Sequence, residues 1–175
     1  MPIDDVRRFG YHNNAAATQP PTKFQAESTF MDQMIRIEMT QVGWGVFANR
    51  SFLRSELIVE VEGTVIEDPG YESNYCMEMT DEKTLEPAAP FRYLNHSCEP
   101  NCTIVLLEKA VGDEARTEWG LFVETLREIP RHEQLTIDYA WPPDCAIPCQ
   151  CGSSGCRGWI IDEEQLSTII HESIE

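Results

Sequence analysis

The sequence has no uninterrupted apolar run near the roughly 20 residues that a membrane span needs. It is also short of basic residues. Thirteen Lys and Arg stand against thirty Asp and Glu, a formal net charge of −17 over 175 residues. A field of that sign repels phosphate backbones and excludes direct nucleic-acid binding through a broad basic face. It attracts cationic partners, lysine-rich peptides among them. The first residues lack the apolar stretch of a secretory signal, so the expectation is an intracellular protein with no membrane partner. Internal repeats are missing too, and the length suits one compact domain.

What is present is cysteine in an uneven pattern. The seven lie at 76, 98, 102, 145, 149, 151 and 156. An odd count without a secretory signal disfavours a disulfide framework, and the crowding of four into Cys145–Cys156 points to metal binding in a reducing compartment.

Along the chain, residues 1–28 mix charge, an alanine run and Pro20-Pro21, and read as an extended or partly ordered arm. Phe30–Glu38 alternates loosely and suits a short strand, and Gly43–Ala48 joins a glycine turn to a second. Leu57–Ile66 reads as one strand with apolar positions 57, 59, 61 and 65 on one face and Gly63 as a bulge or close-approach point. Tyr71–Met79 is a further strand candidate, and Asp81–Pro90 a loop. Thr103–Leu107 and Trp119–Leu126 are strands joined through Gly112-Asp113, and Leu135–Tyr139 is the last strand. The Pro-, Gly- and Ser-rich stretch that follows needs a metal or a partner to stay ordered. In the tail, Asp162 is a helix cap, and Leu166, Ile169, Ile170 and Ile174 share one helical face.

Two segments carry chemistry. Cys149-x-Cys151-x4-Cys156 can wrap a tetrahedral zinc ion, which a structural site closes with a fourth ligand; Cys98 and Cys145 are both candidates. The second segment is Arg92-Tyr93-Leu94-Asn95-His96-Ser97-Cys98-Glu99-Pro100-Asn101. Taken alone, His96 reads as a structural histidine, and Asn95, Ser97 and Asn101 as makers of turn hydrogen bonds.

Together these segments resemble the SET-domain protein lysine methyltransferases. The Asn95–Cys98 run is similar to that family's signature, and Gly43-Trp44-Gly45 to its glycine-containing cofactor motif. Glu60-Val61-Glu62-Gly63 resembles the second motif, Glu133–Tyr139 the fourth, and Cys149–Gly158 the post-SET zinc loop. The resemblance covers roughly residues 33–161, with every part in order.

It implies a mainly β SET-domain fold: several short curved sheets, pseudoknot-like C-terminal threading, little helix and a C-terminal zinc loop. The implied division is an arm at 1–28, a SET domain at 29–142, a zinc loop at 143–161 and a C-terminal helix at 162–175. S-adenosylmethionine would be the methyl donor, held by Gly43, Trp44, Gly45, Arg92, Tyr93, Asn95 and His96, with Trp159 near the adenine. One structural zinc ion would be bound by Cys98, Cys149, Cys151 and Cys156. Tyr139 would be the catalytic tyrosine, and Tyr75 would line the lysine channel. The implied partner is a basic, histone-like peptide, and the implied setting is the nucleus if the source is eukaryotic and the cytoplasm otherwise.

Some positions depart from the family's pattern. Val61 and Ile137 stand where relatives often carry aromatics, the latter at a position that influences how many methyl groups are added. These departures leave a rival reading, a zinc-stapled SET-like module that binds peptide or cofactor without turnover. Glu60 and Asp138 show no proton role and are expected to satisfy backbone or hydroxyl donors.

Overall fold

The structure is a computed structural model that describes residues 28–68, 70–80, 82–111 and 116–168. A short helix α1 (Ser28–Met34) leads into β1 (Ile35–Thr40) and β2 (Gly43–Ala48), followed by β3 (Leu57–Glu60), β4 (Gly63–Ile66), β5 (Met77–Thr80) and β6 (Lys83–Pro87). After a 3-10 turn at Phe91–Tyr93 come β7 (Asn95–His96), the long pair β8 (Cys102–Val111) and β9 (Arg116–Thr125), and β10 (Gln134–Ile137). The cysteine-rich stretch contributes β11 (Ile147–Pro148) and β12 (Trp159–Ile160), which pair with each other.

The strands form small sheets, ordered β1-β2-β10-β7, β3-β9-β8 and β4-β6-β5, besides the β11-β12 pair. β10 inserts between two earlier strands, antiparallel to β2 and parallel to β7. That threading sets the end of β10 beside Asn95 and His96. The core where the sheets meet is apolar, with Val46, Phe52, Val123, Ile129 and Leu135 essentially sealed from solvent. Mainly β with little helix, the fold is the one expected.

Several local readings need correction. Residues 28–34 are helical, because Met31 and Met34, three apart, both face the core while Phe30 stays exposed. Asn49 then ties the junction into β1, its side-chain amide donating to the Asp32 and Ile35 carbonyls. The stretch Leu57–Ile66 is two strands in different sheets. A register shift between Leu57 and Val59 turns Ile58 inward and leaves Leu57 exposed. Gly63 is a close-approach point, since a Cβ there would lie 2.9 Å from the Pro87 Cα. The loop expected at Asp81–Pro90 contains β6, the central strand of its sheet, with Leu85 buried. In the segment Tyr71–Met79, only Met77 onward is strand.

β8 and β9 run further than Thr103–Leu107 and Trp119–Leu126, and the turn at Gly112-Asp113 lies outside the described residues. At the tail, the Asp162 carboxylate accepts from the Glu164 amide and caps a 3-10 turn, Glu163–Gln165. Ile169, Ile170 and Ile174, and the arm as far as residue 27, lie outside the described residues. No described helix is long and apolar enough to cross a membrane.

Candidate active site and metal centre

The thiols of Cys98, Cys149, Cys151 and Cys156 all lie within 4.8 Å of one another. Zinc–thiolate bonds of about 2.3 Å in a tetrahedron place sulfurs about 3.8 Å apart. Cys98 is 3.7 Å from Cys149 and 4.0 Å from Cys156, so the donor set fits a closed four-sulfur site. Cys145 is exposed and outside the group. Burial pushes the Cys98 and Cys149 thiols up. Burial also opposes ionisation of Cys151, but the Cys98 amide and Ser153 outweigh it and bring that thiol down to about 6.

Two further ties hold the cysteine loop to the domain body, and neither was expected. The Glu99 carboxylate accepts from the Gly155 amide at 3.0 Å and the Ser154 hydroxyl at 3.1 Å. Arg157, whose side chain is only 8% exposed, grips Asp138 through two bonds of 2.7 Å. Burial raises the Asp138 pKa, but the arginine and the Ala140 amide more than offset it, so its carboxyl sits below the usual range. Asp138 thus meets a backbone donor, as expected, but chiefly a cation. Glu60 likewise pairs with Lys109.

His96 connects the cysteine group to the end of β10. Its Nδ1 accepts the Tyr139 amide at 3.2 Å, so the neutral ring carries its proton on Nε2, which faces the Cys98 sulfur at 3.4 Å. Burial holds its pKa below the ordinary value.

Tyr139 stands between two cavities. One, of about 330 Å³, is lined by Asn95, His96, Tyr139, Val42, Gln150 and Ile160, among others. The second, of about 260 Å³, has walls that include Tyr75, Arg92, Leu106, Leu121, Ile137 and Trp141. The Tyr139 hydroxyl donates to the Leu94 carbonyl at 2.7 Å, and its ring lies against His96 and Trp141. Burial, with Tyr75 nearby, pushes its pKa up to about 12.

The residues expected at the cofactor divide between these features. Asn95 and His96 line the larger cavity, and the Asn95 amide donates to the Trp44 carbonyl at 3.1 Å. Gly45 makes that packing possible, because a Cβ there would come 2.6 Å from the Gln134 side chain and 3.1 Å from Asn95. Gly43 adopts φ +110°, a conformation glycine alone takes without strain. The Trp44 indole nitrogen is buried without a hydrogen-bond partner. Arg92 instead borders the smaller cavity, stacked 4.5 Å over the Tyr75 ring. Tyr93 packs against the core, and Trp159 pairs opposite Pro148 in β12, beside the Ile160 that reaches the cavity.

A cavity of this size, walled by both apolar and amide side chains, fits a nucleoside-sized cofactor. Asn95 and His96 would hold S-adenosylmethionine there. Arg157, Glu99 and the Leu94 carbonyl were missed. Arg157 sits directly after Cys156 and Glu99 after Cys98, but nothing in either segment says which residue it meets. A carbonyl carries no sequence signal at all.

A mainly β domain with β10 threaded between two earlier strands, a four-thiol loop and a tyrosine between two cavities defines a narrow class. The SET-domain family model matches residues 43–140, and the chain belongs to that family. It is 33% identical over 137 residues to an H3 lysine-4-specific histone-lysine N-methyltransferase of Emericella nidulans, covering 67% of this chain and 11% of that protein. The human histone-lysine N-methyltransferase SETD1B is 33% identical over 132 residues, covering 66% of this chain and 6% of that protein. The chain therefore spans about a tenth or less of the length of these relatives. Among solved structures, KRYPTONITE in complex with DNA, an H3 peptide and SAH has the same fold, with a TM-score of 0.59 and 22% identity, over 72% of this chain and 29% of that one.

Proposed function

We propose that the protein is an S-adenosylmethionine-dependent protein lysine N-methyltransferase acting on a basic, histone-like tail, with histone H3 the leading substrate. The observation that carries this reading is the place of Tyr139, which borders both cavities with its proton committed to a carbonyl. In this reading the larger cavity takes the cofactor and the smaller one the lysine. Bound there, S-adenosylmethionine would supply an electrophilic methyl group on sulfur.

The chain's own task is to deliver a neutral amine in line with that group. A solvated lysine, pKa near 10.4, is almost wholly protonated at neutral pH. Where the smaller cavity is walled by Ile104, Leu106, Leu121 and Ile137 it disfavours the ammonium and lowers that pKa, while Glu78 and Asp138, also in its wall, draw the cationic side chain in. Tyr139 stays protonated and is no base. Because its hydroxyl donates to Leu94, its lone pairs remain to orient the amine. Alignment of this kind supplies on the order of 7–11 kcal/mol of barrier reduction.

The peptide is read as an added strand. Among the described residues β5 pairs with β6 on one side only, and its Met77 and Glu78 line the lysine cavity. The zinc loop is read as the lid of the cofactor cavity, to which Cys149 and Cys151 contribute wall. In keeping with the H3-specific relatives, the expected setting is chromatin. Incubation with methyl-labelled cofactor and an H3 tail peptide tests the proposal: label must appear on a lysine, and label absent from a range of basic proteins contradicts it.

A further inference from the structure

We propose that Trp119 forms a secondary subsite that takes a cationic side chain of the substrate peptide, lysine or arginine, two residues from the lysine that enters the Tyr139 cleft. The inference rests on the peptide-lysine reading above and adds a specificity element to it.

β8 and β9 pair along their whole length, but β3 reaches only Phe122, Val123 and Glu124 on β9. The outer half of the hairpin therefore stands beyond the three-stranded sheet. Side chains alternate between faces. Leu106 and Leu121 face each other on one side and form cleft wall. Two residues further out on the same side, about 7 Å away, Trp119 lies opposite Glu108. Trp119 is 53% exposed. The hairpin's Lys109 belongs to the other face, where Glu60 holds it.

Past the cleft, then, this face presents an indole and a carboxylate, with no cation among the described residues. Glu78 adds a second acid at the cleft wall. A solitary exposed aromatic is ordinary; this one prolongs the apolar wall of a cleft and has an acid across from it. An extended peptide that runs along the hairpin advances about 3.3 Å per residue with side chains alternating, so the side chain two residues from the target lysine faces the same way and reaches that distance. An ammonium or guanidinium over the indole face, with Glu108 beside it, gains both a cation–π and an ionic contact.

The test uses two synthetic peptides with a single lysine, one carrying arginines two residues to either side, the other glutamines. Both are assayed for methyl transfer and, by calorimetry, for binding, with wild type, Trp119→Ala and Trp119→Phe. The arginine-to-glutamine preference of the wild type should fall about 3- to 10-fold in Trp119→Ala and largely survive in Trp119→Phe. The net negative charge favours arginine in every variant equally, so the change in ratio isolates the indole. A ratio unchanged in Trp119→Ala, or an equal loss on both peptides, overturns the subsite. If the wild type methylates neither peptide, the methyltransferase reading fails, and the same ratio in the binding data still decides for or against the subsite.

Discussion

The Tyr139 hydroxyl donates a hydrogen bond to the Leu94 carbonyl, and burial pushes its pKa up to about 12. Such a hydroxyl is a poor base and a ready acceptor. Between neutral pH and about 10 the methyl-transfer rate should therefore rise with pH as the substrate lysine loses its proton, with no limb from the tyrosine. A pH–rate profile of wild type beside Tyr139→Phe checks this: the variant should be slower everywhere, with the same shape. Ile137, two residues earlier, lines the smaller cavity, and in the proposed reading it would set the space around the amine. Ile137→Phe should push the products toward fewer methyl groups, at a stability cost of about 1–3 kcal/mol for overpacking. Mass spectrometry of the peptide reads the first effect and denaturant unfolding the second.

At the scale of elements, the zinc loop is short of core-forming side chains and is held by ties to the domain body. Arg157→Lys keeps the charge but loses the two-pronged grip on Asp138. Zinc should then leave to a chelator faster and cofactor affinity should fall, while hydrogen exchange in β8–β9 stays as in the wild type. A metal-release rate equal to wild type would show that the cysteines alone hold the loop. These ties also mark the limit of sequence reading. β2 was legible from its glycine turn, the β8–β9 hairpin from apolar runs on either side of Gly112-Asp113, and β10 from the alternation of Leu135 and Ile137 with polar residues. β6 was not, since Glu86 and Pro87 disguise a strand whose one sealed aliphatic is Leu85. The four cysteines were legible from spacing and a matching signature. The Asp138–Arg157 and Glu99–Gly155 contacts were not, because they join segments that only the folded chain brings together.

Across the whole molecule, the net charge of −17 is read as an attraction for a basic tail. At physiological salt the Debye length is about 8 Å, so KM for a basic peptide should climb steeply as salt rises through that range while turnover at saturation changes far less. Salt-independent KM values would assign the charge to solubility alone. The account's central claim is that one neutral hydroxyl, set between two cavities, carries methyl transfer from cofactor to lysine. The most direct measurement pairs cofactor affinity by calorimetry with the methyl-transfer rate onto an H3 tail peptide, for wild type and Tyr139→Phe. The account predicts unchanged cofactor binding, stability within about 1 kcal/mol and turnover lower by on the order of 10²-fold or more. A variant that binds cofactor normally and turns over at the wild-type rate would contradict it.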